Sequence, residues 1–345
     1  MKNGVCVIAP VIRSSWTTAF CQGEVVSRLF ADRGWNVITA AESWEWPEKL
    51  LEVERAIARA VPATDVVIIG LFTSARRLEL VAHGLTRARE RGLRTILVLE
   101  GGAIPELCDE DPERLASLLA RADVVVSTSA YLTQSVRRFG IPLVPIPNTI
   151  RIEEYPFRAR TSVRPRLLWM RSFETTVYNP ELAVRVLAQL LPRLPALTLT
   201  MAGLDDGGLE PTRELARELG VAGAVTFHDF IEMDEKRRLM DQADVFLNTN
   251  RSDNLPVSVM EAAAMGMPVV ATDVGALAEI VVHEESGLLV PSDDVAAMAQ
   301  ATASILASDE RAGAMSLRAR AQAETFDASR TFPRWSSAFD QAMRS

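Results

Sequence analysis

The chain has 345 residues, of which 48% are hydrophobic, with a formal net charge of −8 and three cysteines. This length exceeds what one ordinary hydrophobic core organises and favours two domains. The negative charge argues against nucleic acid as a partner held by bulk electrostatics. The cysteines are scattered without metal-ligand spacing, which predicts reduced thiols.

Targeting and membrane segments are not indicated. The first residues, MKNGVCVIAPVIRSSW, contain too short an apolar run for a signal peptide. No apolar run approaches the ~18 residues of a membrane-spanning helix. We therefore predict a cytoplasmic protein without a transmembrane segment, for which peripheral contact with the inner membrane face stays open.

The first half of the chain alternates short apolar runs with amphipathic stretches, a pattern typical of parallel sheets covered by helices. The predicted elements are strands over 5–9, 35–39, 66–70, 94–99, 124–127 and 143–146, and a helix over 20–33. A polar stretch with arginines and prolines, 151–165, predicts a linker between two domains.

A second series of the same kind follows the linker. Its predicted elements are strands over 166–170, 197–201, 224–227, 245–248 and 269–271, helices over 180–191 and 234–242, and a terminal helix over 326–343. Folds of this class bind ligands outside the carboxyl ends of their strands. In a two-domain version, we expect the site in the cleft between the domains.

The segment 253–258 gives the strongest indication of a binding site. We predict a helix that begins near Leu255 or Pro256, because proline suits the first helical position. Asp253 and Asn254 are candidates for its N-cap. The unpaired N–H groups and positive dipole end of such a helix would bind an anion such as phosphate.

Glu261 lies further along the same predicted helix, where its carboxylate would bind ribose hydroxyls. With a phosphate at the helix start, the two features would hold a nucleoside diphosphate. The alternative is an ordinary helix–strand connection with surface acids, in which Gly266 ends the helix and Pro268 prevents its continuation. The residues alone leave both interpretations open.

The letters D-N-L-P-V-S-V-M-E-A-A-A-M-G-M-P-V-V-A-T-D-V-G-A, from Asp253 to Ala276, resemble a known signature. It is the donor-binding signature of the family 4 (group 1) retaining glycosyltransferases, which share the GT-B fold. Asp253 and Glu261 take the two acids of that pattern, and D-N-L-P-V-S-V resembles a D-N-x-P-V-S-V variant subgroup.

The resemblance implies an α/β fold of the GT-B type, with two Rossmann-like doubly wound parallel-sheet domains facing a cleft. The expected division is an acceptor domain over 1–155, a nucleotide-sugar donor domain over 156–325, and a C-terminal helix over 326–345 that crosses back to the first domain.

The resemblance also implies roles for particular residues. Arg171, in R-P-R-L-L-W-M-R-S-F, would contact the donor diphosphate, since its guanidinium fork suits phosphate oxygens. Asp253 would hold sugar hydroxyls, and Glu261 the ribose. Further donor-binding candidates are Asn254, Leu255, Pro256, Val257, Ser258, Gly203 and Ile231.

Three features depart from the family pattern. The lysine expected after Arg171 is absent from E-T-T-V-Y-N-P-E. The expected Gly-Gly loop after the first strand reads A-P-V-I-R-S-S-W-T-T, where Ser14 and Ser15 would supply the donors to phosphate. In L-V-L-E-G-G-A-I-P-E, Glu100 replaces a histidine near the reacting carbon, where it would either stabilise an oxocarbenium-like transition state or repel the diphosphate.

The combined prediction is an enzyme that moves a sugar from a nucleoside-diphosphate sugar to a sugar, lipid-linked or small-molecule acceptor, with retention. The pathway would be polysaccharide, glycoconjugate or glycosylated-metabolite biosynthesis. The predicted catalytic residues are Arg171, Asp253 and Glu100. The resemblance implies no metal and no cofactor besides the donor substrate, and the oligomeric state is not specified.

Other classes of protein remain as alternatives. A non-catalytic GT-B relative that binds a nucleotide sugar or supports a partner enzyme is favoured by the three departures. A GT-B epimerase would carry more histidines than His83, His228 and His283. A Rossmann oxidoreductase is disfavoured because no G-x-G-x-x-G follows the first strand.

Overall fold

A computed structural model describes residues 4–9, 22–40, 43 and 45–345 of the chain. Two compact units are present. The first comprises the described residues up to Thr149 and includes Ala328–Ser345, whereas the second comprises Ile150–Asp327. The chain therefore passes from the first unit to the second after Thr149 and returns to the first unit for its last helix.

The first unit contains a parallel sheet. Its strands are β1 (Gly4–Ile8), β2 (Asn36–Ala40), β3 (Val66–Leu71), β4 (Arg94–Leu99), β5 (Val124–Ser127) and β6 (Leu143–Pro145). Within the described residues they form a six-stranded sheet of order β2-β1-β3-β4-β5-β6. The described helices of this unit are α1 (Gln22–Ala31), α2 (Trp46–Ala60), α3 (Ala75–Glu90), α4 (Ile104–Glu110), α5 (Pro112–Arg121), α6 (Ala130–Val136) and the final helix of the chain, α13 (Ala328–Arg344).

Both faces of this first sheet are buried. In β1, Val5 and Val7 belong to a core that includes Trp335 of α13. The intervening Cys6 and Ile8 belong to a second core that includes residues of α2 and α3. Successive strand residues point to opposite faces, so the continuous apolar run of β1 reflects helices on both sides.

The second unit repeats this architecture. Its strands are β7 (Arg166–Met170), β8 (Thr198–Ala202), β9 (Val225–His228), β10 (Val245–Asn248), β11 (Val269–Thr272) and β12 (Gly287–Val290). They form a parallel sheet of order β12-β11-β10-β7-β8-β9. The helices are α7 (Pro180–Leu190), α8 (Leu209–Glu218), α9 (Met233–Gln242), α10 (Val257–Ala264), α11 (Val295–Leu306) and α12 (Asp309–Ala323).

The strand order of the second sheet reverses between β7 and β10. The chain proceeds from β7 outward through β8 and β9, and then resumes on the other side of β7 with β10, which pairs with it in parallel. A crevice forms where the connections leave such a pair of strands in opposite directions. The carboxyl ends of β7 and β10 are therefore the place in this unit where a ligand site is expected.

The segment 151–165 is part of the second unit, which corrects its prediction as a linker. Arg158 and Arg164 form ion pairs of 3.1 and 2.8 Å with Asp244, whose side chain is fully buried. Arg160 is also fully buried and donates hydrogen bonds to backbone carbonyls at the end of α9. Burial lowers the pKa of Arg160 to about 9. These three arginines bind the segment to the rest of the second unit.

Candidate functional site

Arg171 directly follows β7, at the point where the strand order reverses. Its Nη2 lies 2.5 Å from Oδ2 of Asp253, on the loop after β10. Its guanidinium carbon also lies 4.4 Å from the centre of the Tyr178 ring. The structure thus brings together two of the predicted catalytic residues, which are distant in the sequence.

The electrostatic environment of Arg171 favours its charged form. Burial lowers the pKa of this guanidinium, but Asp253, Tyr178 and Glu261 together outweigh that effect, and the net pKa is raised. Arg171 Nε is buried and has no hydrogen-bond partner among the described residues. A buried donor of this kind normally has a partner, so Nε retains an unused hydrogen-bond donor.

Asp253 is held by three donors. Its Oδ2 accepts hydrogen bonds from Arg171 and from Asn250 Nδ2, the latter at 2.6 Å. Its Oδ1 accepts from the backbone N–H of Asn254 at 2.8 Å. The carboxylate is therefore fixed in orientation, and the sequence prediction did not include Asn250 as the residue that orients it.

Gly275 allows a second loop to support Asp253. It has a φ of +56°, and a Cβ at this position would lie 1.7 Å from the Asp253 carbonyl oxygen. The next residue, Ala276, donates its N–H to the Asn254 carbonyl at 3.1 Å. Only glycine permits this conformation and this approach without strain, so the loop after β11 positions the loop after β10.

Gly203 has a similar relation to Arg171. A Cβ at this position would lie 1.6 Å from the Arg171 carbonyl oxygen. The N–H of Gly203 donates to the His228 carbonyl at 3.3 Å. Gly203 therefore supports the backbone of Arg171, and its predicted contact with the donor remains a prediction.

The helix start differs from the sequence prediction both in its first residue, which was expected to be Leu255 or Pro256, and in its N-cap. Helix α10 begins at Val257, with Pro256 as its N-cap. Asp253 and Asn254 are not its caps, because the Asp253 carboxylate is occupied by the Arg171 and Asn250 side chains and by the N–H of its own neighbour. The helix start consequently lacks a side-chain cap, and its N–H groups remain unpaired by any cap side chain.

Several buried polar atoms near this helix lack partners. Ser258 Oγ in the first turn of α10, Asn248 Nδ2 and Asn250 Oδ1 have no hydrogen-bond partner among the described residues. The three side chains are at most 2% exposed. Leaving such groups unsatisfied is costly, so water or a ligand is expected to satisfy them.

Glu261 lies in α10 but is fully buried. Its Oε1 accepts hydrogen bonds from Lys236 Nζ at 2.6 Å and from the Tyr155 hydroxyl at 2.7 Å. The sequence analysis identified neither partner. A ribose contact by Glu261 therefore requires the groups that cover it to move, and this role stays a prediction.

The remaining candidates of the second unit lie on connections. Ile231 is buried between β9 and α9. Leu255 and Pro256 are buried just before α10. The structure therefore places these residues on loops at the carboxyl ends of strands, and their contact with a nucleotide remains a prediction.

Glu100 follows β4 in the first unit, and its carboxyl lies over Gly70 of β3. A Cβ at Gly70 would lie 3.4 Å from Glu100 Oε1. Desolvation raises the pKa of Glu100 to about 8, so the carboxyl is mostly neutral at pH 7. A neutral carboxyl does not repel an anion such as a diphosphate. Ser14 and Ser15, the other candidates of this unit, lie outside the described residues.

Glu100→Gln should change how stability depends on pH. Between pH ~4.5 and ~8, the unfolded chain releases the Glu100 proton while the folded chain retains it. The parent chain should therefore lose stability as pH rises through this window, by at most about 1.4 kcal/mol per pH unit. The glutamine variant lacks this loss, so its stability relative to the parent should increase from pH 5 to pH 8. Urea unfolding at several pH values measures the difference.

Glu110→Gln, at an exposed position in α4, is the matched control and should follow the parent curve. If Glu100→Gln also runs parallel to the parent across the window, Glu100 is not held in its neutral form.

Among the described residues, no group of three or more histidines, cysteines and acids is placed to hold a metal ion. In the same part of the chain, none of the helices combines the length and apolar character needed to cross a membrane.

Comparison with solved structures identifies the fold. The chain superimposes on a sucrose-phosphate synthase from Thermosynechococcus elongatus with a TM-score of 0.80 and 19% identity, over 99% of both chains. HepE of Anabaena, in complex with UDP, gives a TM-score of 0.74 and 14% identity, over 98% of this chain and 99% of that one. With its two six-stranded parallel sheets, the protein has the GT-B fold, as predicted.

Sequence comparisons point to one family. Residues 164–308 match the family model of the group 1 glycosyl transferases. This range contains Arg171, Gly203, Asp253 and Glu261. This match covers less than half of the chain and lies within its second unit.

Curated relatives agree with this family. A D-inositol 3-phosphate glycosyltransferase of Corynebacterium urealyticum is 33% identical over 218 residues, which is 61% of this chain and 47% of that protein. A GDP-mannose-dependent alpha-(1-6)-phosphatidylinositol monomannoside mannosyltransferase of Mycolicibacterium smegmatis is 34% identical over 149 residues, 41% of this chain and 38% of that protein. The matches span about half the length of these relatives, or less.

Proposed function

We propose that the protein is a glycosyltransferase that moves a sugar from a nucleoside-diphosphate sugar to an acceptor with retention. The observation that carries this proposal is the Arg171–Asp253 contact at the strand-order reversal of the second unit. The family match includes both residues. One relative is named as GDP-mannose-dependent, and one structure of the same fold was solved with UDP, which supports a nucleoside-diphosphate donor. Membership of the D-N-x-P-V-S-V subgroup is part of the proposal.

Arg171 is proposed to bind the diphosphate. Its unpartnered Nε offers a charge-assisted hydrogen bond to a phosphate oxygen. The uncapped start of α10 and the free Ser258 hydroxyl offer further donors. These groups would stabilise the negative charge that develops on the leaving diphosphate, with no role for a metal or further cofactor.

Asp253 is proposed to accept hydrogen bonds from hydroxyls of the donor sugar. Its orientation is fixed by Asn250 and Asn254, which suits a residue that selects among sugars. Glu261 is proposed to bind the ribose. Asn254, Leu255, Val257, Gly203 and Ile231 would line the nucleotide through backbone groups.

The proposed reaction breaks the bond between the anomeric carbon and the diphosphate oxygen. The acceptor oxygen bonds to the same carbon from the same face, and its proton passes to the leaving phosphate. No protein base is needed for this step. A mostly neutral Glu100 would act there as a hydrogen-bonding group.

The acceptor is proposed to be a sugar, a lipid-linked group or a small molecule. Two curated relatives are named for inositol-containing compounds, which favours a polyol or glycoconjugate acceptor. A cytoplasmic location, with or without peripheral membrane contact, belongs to the same proposal.

A second candidate is a GT-B protein that binds a nucleotide sugar without transferring it. It is favoured by the absence of a lysine between Arg171 and α7 and by the neutral Glu100, because both reduce the groups available for catalysis.

A thermal-shift panel with UDP, GDP, ADP, UDP-glucose and GDP-mannose tests both candidates. A ligand present at ~100 times its dissociation constant should add about 2.7 kcal/mol to the free energy of unfolding. The donors that stabilise the chain are then assayed for release of the nucleoside diphosphate, with and without inositol phosphates as acceptors. Stabilisation with turnover supports the transferase, and stabilisation without turnover supports the second candidate. A panel without any stabilisation would contradict both.

A further inference from the structure

Helix α9 contributes a buried lysine to the vicinity of the proposed site. Lys236 Nζ lies 2.6 Å from Oε1 and 2.5 Å from Oε2 of Glu261. Both side chains are fully buried, and Tyr155, which donates to Oε1, is 2% exposed. The three residues come from three separate parts of the second unit.

Packing alone does not explain a lysine at this position. Lys236 lies on the buried side of α9 together with Leu239 and Met240, at the spacing of an apolar helix face. A buried ion pair is often no more stabilising than apolar residues of similar volume. An apolar residue at position 236 would complete the face, so the charge requires another explanation.

The pair acts electrostatically on Arg171. Burial is the main cause that lowers the pKa of Lys236, and the charge of Arg171 lowers it further. The charge of Glu261 in turn helps to raise the pKa of Arg171. Lys236 and Glu261 therefore lie within electrostatic range of Arg171.

One oxygen of Glu261 keeps acceptor capacity. Oε2 is buried and accepts no well-aligned hydrogen bond among the described residues, although Lys236 Nζ is near it. A carboxylate can accept about four hydrogen bonds. Oε1 already accepts from Lys236 and Tyr155, so Oε2 is the oxygen left for a ligand hydroxyl.

We propose that Lys236 is a positioning residue that compensates the charge of Glu261 and directs its Oε2 towards the ribose of the nucleotide. Tyr155 fixes Oε1 in the same arrangement. The ribose reaches Oε2 when the atoms that cover it move aside on binding. This inference rests on the proposed function. It places a buried lysine on α9, whereas the segment between Arg171 and α7 contains no lysine.

The test compares nucleotides that have the 2′ and 3′ hydroxyls of the ribose with nucleotides that lack both. Titration calorimetry measures binding of UDP and GDP, and of their 2′,3′-dideoxy forms, to the full chain. The parent chain should bind the better ribonucleotide about tenfold more tightly than its dideoxy form. In Lys236→Met this ratio should fall to about one, because Glu261 is no longer oriented.

The matched control is Arg238→Met, which removes an exposed cation from the same helix. It should keep the parent ratio. Tyr155→Phe retains the ion pair and removes only one hydrogen bond, so it should reduce the ratio part of the way. This second variant decides the matter if Lys236→Met does not fold.

The outcomes separate the inference from the proposed function. One outcome is that the parent chain, Lys236→Met and Tyr155→Phe all show the same affinity ratio between the ribonucleotide and its dideoxy form. In that case Lys236 has only a structural role, and the inference is wrong. If the parent binds diphosphates with no preference for ribose, the inference and the ribose role of Glu261 are both wrong, while the proposed transfer from a nucleoside-diphosphate sugar stands. If no nucleotide binds the parent, the proposed function fails, and the ribose role fails with it.

Discussion

The variant Arg171→Ala should bind UDP or GDP about 10- to 150-fold more weakly than the parent chain. A charge-assisted hydrogen bond to phosphate contributes about 1.5–3 kcal/mol, and this range corresponds to those ratios. Arg171 is expected to contact phosphate because its Nε has no hydrogen-bond partner among the described residues and because it directly follows β7. Titration calorimetry measures the affinities, and a melting curve checks that the variant is folded.

Arg185→Ala is the matched control for this substitution. Arg185 is half exposed on α7 and pairs only with Glu181 of the same helix in the described contacts. Its removal should leave diphosphate affinity unchanged. A folded Arg171→Ala variant with the affinity of the parent would remove Arg171 from the proposed site.

Gly203→Ala is expected to disturb both stability and binding. The added methyl group would lie 1.6 Å from the Arg171 carbonyl oxygen, and backbone cannot yield as a flexible side chain does. Overpacking of this kind typically costs about 1–3 kcal/mol. The displaced backbone also carries Arg171, so diphosphate affinity should fall together with the urea midpoint.

Gly223→Ala provides the comparison. A Cβ at Gly223 meets no atom within 4 Å, so the same chemical change should be tolerated there. Equal urea midpoints and equal affinities for the two variants would show that the backbone around Arg171 adjusts without cost.

The sheets could be predicted from sequence because their physical cause is local. Apolar runs such as 94–99 and 166–170 coincide with β4 and β7, since strands covered on both faces need no polar positions. The position of Arg171 followed from the end of its strand. The roles of Arg171 and Asp253 are implied by the family resemblance. The structure shows in addition that the two side chains are in contact.

The missed features depend on long-range contacts. Asp253 suited an N-cap by residue type, but the charge of Arg171, 82 positions away in the chain, competes for its carboxylate. Lys236 was not among the candidate residues named from the sequence. Its spacing to Leu239 and Met240 was the available indication of burial, but its partner Glu261 could be recognised only in the folded chain.

The arginines of segment 151–165 determine how the second unit could be produced as a separate fragment. A fragment that begins at Arg166, where β7 starts, would retain Asp244 in the interior and lose Arg158, Arg160 and Arg164. Removing the partner of a buried charge typically costs about 3–5 kcal/mol, a large part of the stability of an ordinary domain. A fragment that begins at Ile150 retains all three cations. A stable fragment of the second unit therefore has to begin before β7, because Asp244 needs the arginines of segment 151–165 as counter-charges.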